Sequence, residues 1–143
     1  MRLSLICLFV AWLATSVFAA ETAPLPKAMS GRYTAVVPGQ QTYTDSLSVV
    51  LDAPSGTGPV TGRLTVRGVT CGAVDEPLSG TWDGTELRFE SLVKPNVNAQ
   101  RLNGQCGSGK VTFVLSRKPG QTSFEGESRR DGSPIVTQVK LAP

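Results

Sequence analysis

The chain contains no histidine. Without one, neither a Ser–His–Asp triad nor a Cys–His pair can be assembled. A catalytic zinc would have to rest on carboxylates or unusual ligands. Aromatic residues make up only 6% of the chain, so any core is lean. Cysteine is limited to Cys7, Cys71 and Cys106. None belongs to a C-x-x-C, the spacing that redox and zinc sites favour. Strong charge of one sign is also missing: the formal net charge is +3, and Arg2 accounts for one unit of it. The basic residues are scattered, with Arg117–Lys118 and Arg129–Arg130 the only doublets. A nucleic-acid partner would call for a clustered patch, so none is expected. Beyond the first twenty residues no apolar run is long enough to span a bilayer, and no window keeps a helical period.

The first twenty residues are distinctive. Arg2 precedes an apolar run from Leu3 to about Ala14, and small residues follow, with Val17 and Ala19 placed for a cut between Ala19 and Ala20. That is the pattern of a secretory signal peptide over 1–19. It predicts a secreted or periplasmic protein that has lost Cys7 with its leader. Cys71 and Cys106 then remain as an even pair in an oxidising compartment, which reads as one disulfide. Such a bridge closes a loop of about 36 residues, for which chain entropy gives roughly 4 kcal/mol. The mature chain is long enough for one domain with one core.

Residues 20–30 carry two prolines and no periodicity, and are expected to form a flexible N-terminal arm ahead of a single β-domain over 31–143. From Gly31 onward short alternating runs dominate. Strands are predicted near Arg32–Val37, Ser46–Ala53, Val60–Arg67, Pro77–Trp82, Glu86–Ser91, Lys110–Arg117, Ser123–Arg129 and Ile135–Leu141. Asp83–Gly84 and Asp131–Gly132 are predicted as the central residues of tight turns, and Pro119–Gly120 as a type II turn. Each strand is apolar on one face only: Leu47, Val49 and Leu51 form one row, Val111, Phe113 and Leu115 another. One-faced antiparallel sheets must close or stack. The expected fold is all-β, either an eight-stranded meander barrel or a two-sheet sandwich. Gly62, Gly80 and Gly126 fall inside strands, where a missing side chain permits sharp coiling, and this favours the barrel. The Gly31–Arg32–Tyr33 step after a short arm, followed by a meander, is similar to the calycin-type barrels. That resemblance implies an architecture and no particular ligand.

Two patterns suggest chemistry and fail on inspection. Gly104, Gly109 and Lys110 have the spacing of a phosphate-binding loop. Val111 stands where magnesium binding needs Ser or Thr, and a strand follows where a helix is required. Glu125 and Glu127 share a strand face about 7 Å apart, a separation open to an inverting glycosidase, but the face reads as solvated. No enzyme activity, cofactor or metal is therefore expected. Ligand contact is the better expectation, and the large or charged side chains available for it are Tyr33, Tyr43, Trp82 and Arg101. The expected function is an exported, monomeric binding protein for a small apolar ligand or an envelope protein. The alternative is an inhibitor or immunity-type protein that inserts a loop, 92–109 or Gln40–Ser46, into an envelope enzyme.

Overall fold

A computed structural model of the chain describes residues 23–35, 42–54, 56–68, 74–93 and 109–143. These form β1 (Ala28–Ala35), β2 (Tyr43–Leu51), β3 (Gly58–Arg67), β4 (Val74–Trp82), β5 (Glu86–Val93), β6 (Gly109–Ser116), β7 (Phe124–Arg130) and β8 (Val136–Ala142). Every sequential pair is antiparallel, and β1 also pairs with β8, so the meander closes into an eight-stranded barrel. A sandwich is thereby excluded. No helix occurs among the described residues.

Closure follows from the alternation. Every strand turns one row inward, and Leu47, Val49, Leu51, Leu64, Leu78, Leu87, Phe89, Phe113, Leu115, Phe124 and Leu141 meet in a single buried cluster. Phe89 and Phe113 lie opposite one another on β5 and β6 and stack with centroids 4.6 Å apart. Burying each large apolar side chain contributes roughly 1.5–3 kcal/mol. The tight curvature rests on glycines at inward positions. A Cβ on Gly62 would strike the Val50 carbonyl, and one on Gly126 the Val114 carbonyl. Gly31 and Gly80 face the Lys140 and Arg88 carbonyls in the same way. These are the close backbone approaches that in-strand glycine permits. Gly31 belongs to this set, although the sequence presents it as a mere strand opener.

Two of the three predicted turns are centred as expected. Gln121 N–H donates to Lys118 O across Pro119–Gly120, with Gly120 at φ 76°. Ser133 N–H donates to Arg130 O across Asp131–Gly132, with Gly132 at φ 73°. The third is displaced by one residue. Asp83 N–H donates to Glu86 O, so the central pair is Gly84–Thr85, with Gly84 at φ 105°. Asp83 acts through its side chain instead. Its Oδ1 accepts the Glu86 N–H at 2.7 Å, the Thr85 N–H at 2.8 Å and the Thr85 hydroxyl at 2.9 Å. The expected strand ends also shift. β1 starts at Ala28, β2 at Tyr43 and β4 at Val74, each earlier than the sequence reading.

The two ends of the barrel differ. At the floor, where β4, β6 and β8 end, part of the expected arm is fastened into the fold. Ala28–Ser30 belong to β1, and Leu25 and Met29 are buried in the core cluster. The Leu51 N–H donates to Lys27 O at 2.8 Å. Arg117 closes this end. Its guanidinium lies 5.0 Å from the Trp82 ring centroid and 5.3 Å from that of Phe124, and those two rings meet edge to face. It also donates to the carbonyls of Ala23 and Pro24. At the opposite end, the mouth, β1, β3 and β5 end and β2, β4 and β6 begin.

Candidate functional site

Continuing the inward rows toward the mouth carries them from apolar to polar. Asp45 stands two residues before Leu47, Glu76 two before Leu78, Ser91 two after Phe89 and Thr137 two before Val139. On β7, Ser128 and Arg130 continue the row of Phe124 and Gly126. Asp45, Ser91, Ser128 and Thr137 are all buried, and they are the buried polar residues among those described. Glu76 and Arg130 are half-buried. The barrel thus has an apolar floor and middle and a polar mouth.

The register brings these groups together in neighbouring pairs. Tyr33 faces Asp45 across β1–β2, and Ser128 faces Thr137 across β7–β8. The Asp45 carboxylate lies against Gly68, where any side chain would collide with it. The Ser91 hydroxyl donates to Pro77 O at 2.9 Å. Ser128 Oγ is fully buried and has no hydrogen-bond partner among the described residues. A buried hydroxyl left this way costs about 1–3 kcal/mol. A mouth shaped for stability alone would carry Ala or Val there.

The four expected contact residues part company. Tyr33 is half-buried, packed on the core cluster and at the mouth. Trp82 is at the floor, 3% exposed beneath Arg117. A single hydrogen-bonded row links them, passing through Leu87, Leu115, Gly126 and Val139. Because barrel strands are tilted, that row climbs from floor to mouth and leaves the two rings at opposite ends. The Tyr43 ring, Arg101, Cys71 and Cys106 lie outside the described residues, as do residues 1–22 and most of the 92–109 loop; of the Gln40–Ser46 loop considered for insertion, Tyr43–Ser46 instead open β2 and pair with β1. Glu125 and Glu127 face solvent on the outer wall. Glu125 pairs with Lys140 at 2.6 Å, and Glu127 with Arg129 at 3.3 Å. The hydrogen bond from Lys140 holds the Glu125 carboxyl below the usual carboxylate range.

The polar mouth residues escape a reading that looks for apolar alternation, because each interrupts it. The available signal is parity: a polar residue two places beyond an inward apolar one. Thr137 shows it most plainly, between Ile135 and Val139. Among the described residues no cluster of three or more Asp, Glu, Cys or His is placed to hold a metal ion. No protein-family model and no curated protein sequence matches this chain significantly.

Proposed function

We propose that the mature chain is an exported, non-catalytic binding protein that takes the polar end of a small ligand into the mouth of its barrel. The observation that carries this reading is the buried Ser128 hydroxyl, unpartnered among the described residues and set beside Thr137 in the polar half of the interior. Stability is sacrificed there in a way that a bound polar group would offset. The filled floor and middle argue against a long apolar ligand deep inside, so the expected small molecule is held at the mouth with Tyr33 beside it. Small barrels commonly combine an apolar wall with a few placed polar groups in this manner.

Export follows from the leader over 1–19 and is tested by N-terminal sequencing, which should begin at Ala20. A Cys71–Cys106 bridge belongs to the same reading. The strands that flank the two cysteines in sequence, β3 and β4 for one and β5 and β6 for the other, all reach the mouth end. Non-reducing peptide mapping should recover the two residues in one linked fragment.

Native mass spectrometry of protein exported by its own host tests the function. A retained small molecule is expected, and Ser128→Ala should release it while leaving the domain as stable or about 1 kcal/mol more stable. A bare polypeptide mass, or a ligand retained equally by Ser128→Ala, refutes the mouth as its site. A co-purifying protein in place of a small molecule would favour the inhibitor reading.

A further inference from the structure

The outer wall of the barrel is laced with ion pairs. Arg63 meets Asp75 at 3.0 Å, Lys110 meets Glu90 at 3.3 Å, and Lys140 and Arg129 meet Glu125 and Glu127. The wall over β1, β2 and the mouth end of β3 breaks this pattern. Arg32, Ser46 and Arg67 form one cross-strand row. Both arginines are exposed, and among the described residues neither guanidinium makes a direct ion pair or hydrogen bond; Asp75, already held by Arg63, feels the Arg67 charge only from a distance. Arg32 and Arg67 flank an open trough of about 600 Å³ whose other side chains include the hydroxyl residues Ser30, Ser48 and Thr65 and, among the described residues, no acid; Asp75 stands just beyond Thr65. A second trough of about 510 Å³ lies on the other side of β1 and shares Ser30, Gly31 and Arg32. Gly31 lines both troughs, where its missing Cβ lets the Lys140 carbonyl approach from β8.

We propose that this trough is a docking surface for an extended acidic segment of a partner protein. Two strand spacings separate the arginines, about 10 Å between backbones. Carboxylates three residues apart on a segment in the extended polyproline II conformation share one face and lie about 9 Å apart, at three residues per turn and about 3.1 Å per residue, so each guanidinium can take one in a forked contact. Every strand of a closed barrel has its backbone bonds engaged, so strand addition is not available. Recognition falls to the side chains, and those in the trough are cationic or hydroxyl-bearing. Among the described residues no aromatic face lines either trough, which gives a sugar ring no stacking platform there. Ser46 keeps the row in register, its hydroxyl donating to Arg67 O at 3.0 Å. This surface stands apart from the mouth, and its test does not depend on a ligand there.

The test uses the mature chain and a fluorescein-labelled peptide of repeating Glu-Pro-Pro, which holds a glutamate at every third residue in the polyproline II conformation, followed by fluorescence anisotropy at low and high salt. Saturable binding is expected, weakened by salt and about tenfold weaker for the Arg32→Gln, Arg67→Gln double variant. Arg88→Gln, Arg129→Gln, which removes the same two charges elsewhere on the wall, should bind like the parent. Circular dichroism confirms that the variants fold. No saturable binding, or equal binding by the Arg32→Gln, Arg67→Gln variant, overturns the proposal. Equal loss in the Arg88→Gln, Arg129→Gln control counts the same way, and so does binding of dextran sulfate at this trough without binding of the peptide, which would reassign it to a polysaccharide.

Discussion

Replacing Arg117 with alanine isolates the device that shuts the floor of the barrel. The guanidinium makes two kinds of contact there: hydrogen bonds to the Ala23 and Pro24 carbonyls, and stacking over the Trp82 and Phe124 rings. A charged donor contributes more than a neutral one. The group is half-exposed, so each hydrogen bond is discounted to about 1 kcal/mol. Each ring contact is worth about 0.5–1 kcal/mol at such a position. Arg117→Ala should therefore cost about 3 kcal/mol, or roughly 10 °C in Tm for a domain of this size. Urea unfolding followed by tryptophan emission is the direct assay. Trp12 and Trp82 are the two tryptophans of the chain, and in protein lacking residues 1–19 emission reports on the floor itself. The native-state spectrum should move to the red as the segment over Leu25 loosens, and protease should cut ahead of Lys27. Arg117→Lys retains the charge over the rings but loses the fork, and should give about half the loss. A cost below about 1 kcal/mol, with emission unmoved, would refute the argument that Arg117 holds this end shut.

Gly84→Val should cost about 1–3 kcal/mol, because a β-branched residue is strained at φ 105°; an unchanged urea midpoint would contradict the turn geometry. The Asp83 carboxyl is held below its usual range by the Glu86 and Thr85 N–H groups and the Thr85 hydroxyl. A depressed folded-state pKa stabilises above the unfolded value, about 3.9, and that contribution is lost as pH falls through the folded value. Asp75, hydrogen-bonded by Arg63, has the same sign. Asp83→Asn should therefore flatten the fall in urea midpoint between pH 5 and pH 2; a fall parallel to the parent would refute the assignment.

The barrel was legible because its determinants are local. Alternating rows such as Val111–Leu115, paired with Pro119–Gly120 and Asp131–Gly132, locate strands and turns without tertiary information. Glycines at inward positions, Gly62, Gly80 and Gly126, distinguish a tightly curved sheet from a flat one. The strand ends at the mouth were not legible, because Asp45 and Glu76 occupy inward positions where alternation predicts an apolar residue. Nor was the early start of β1. Pro24 and Pro26 suppress any periodicity, and the reason Leu25 is buried lies in Arg117, far along the chain. Trp82 shows the limit of side-chain type as a guide. A large ring suits a ligand mouth and a core equally, and only the tilt of the strands decides between them. The mouth residues follow parity, which is visible in sequence once the strand limits are known.

The pairing of the first strand with the last has a kinetic consequence. β1 and β8 are neighbours in space and near opposite ends of the chain, so the wall cannot seal until the final segment has arrived. Contacts this remote in sequence slow folding. A polypeptide emerging N-terminus first must keep an uncovered greasy face until β8 has been made, and a chaperone that holds unfolded chains would find its longest-lived target in the seven strands waiting for the eighth.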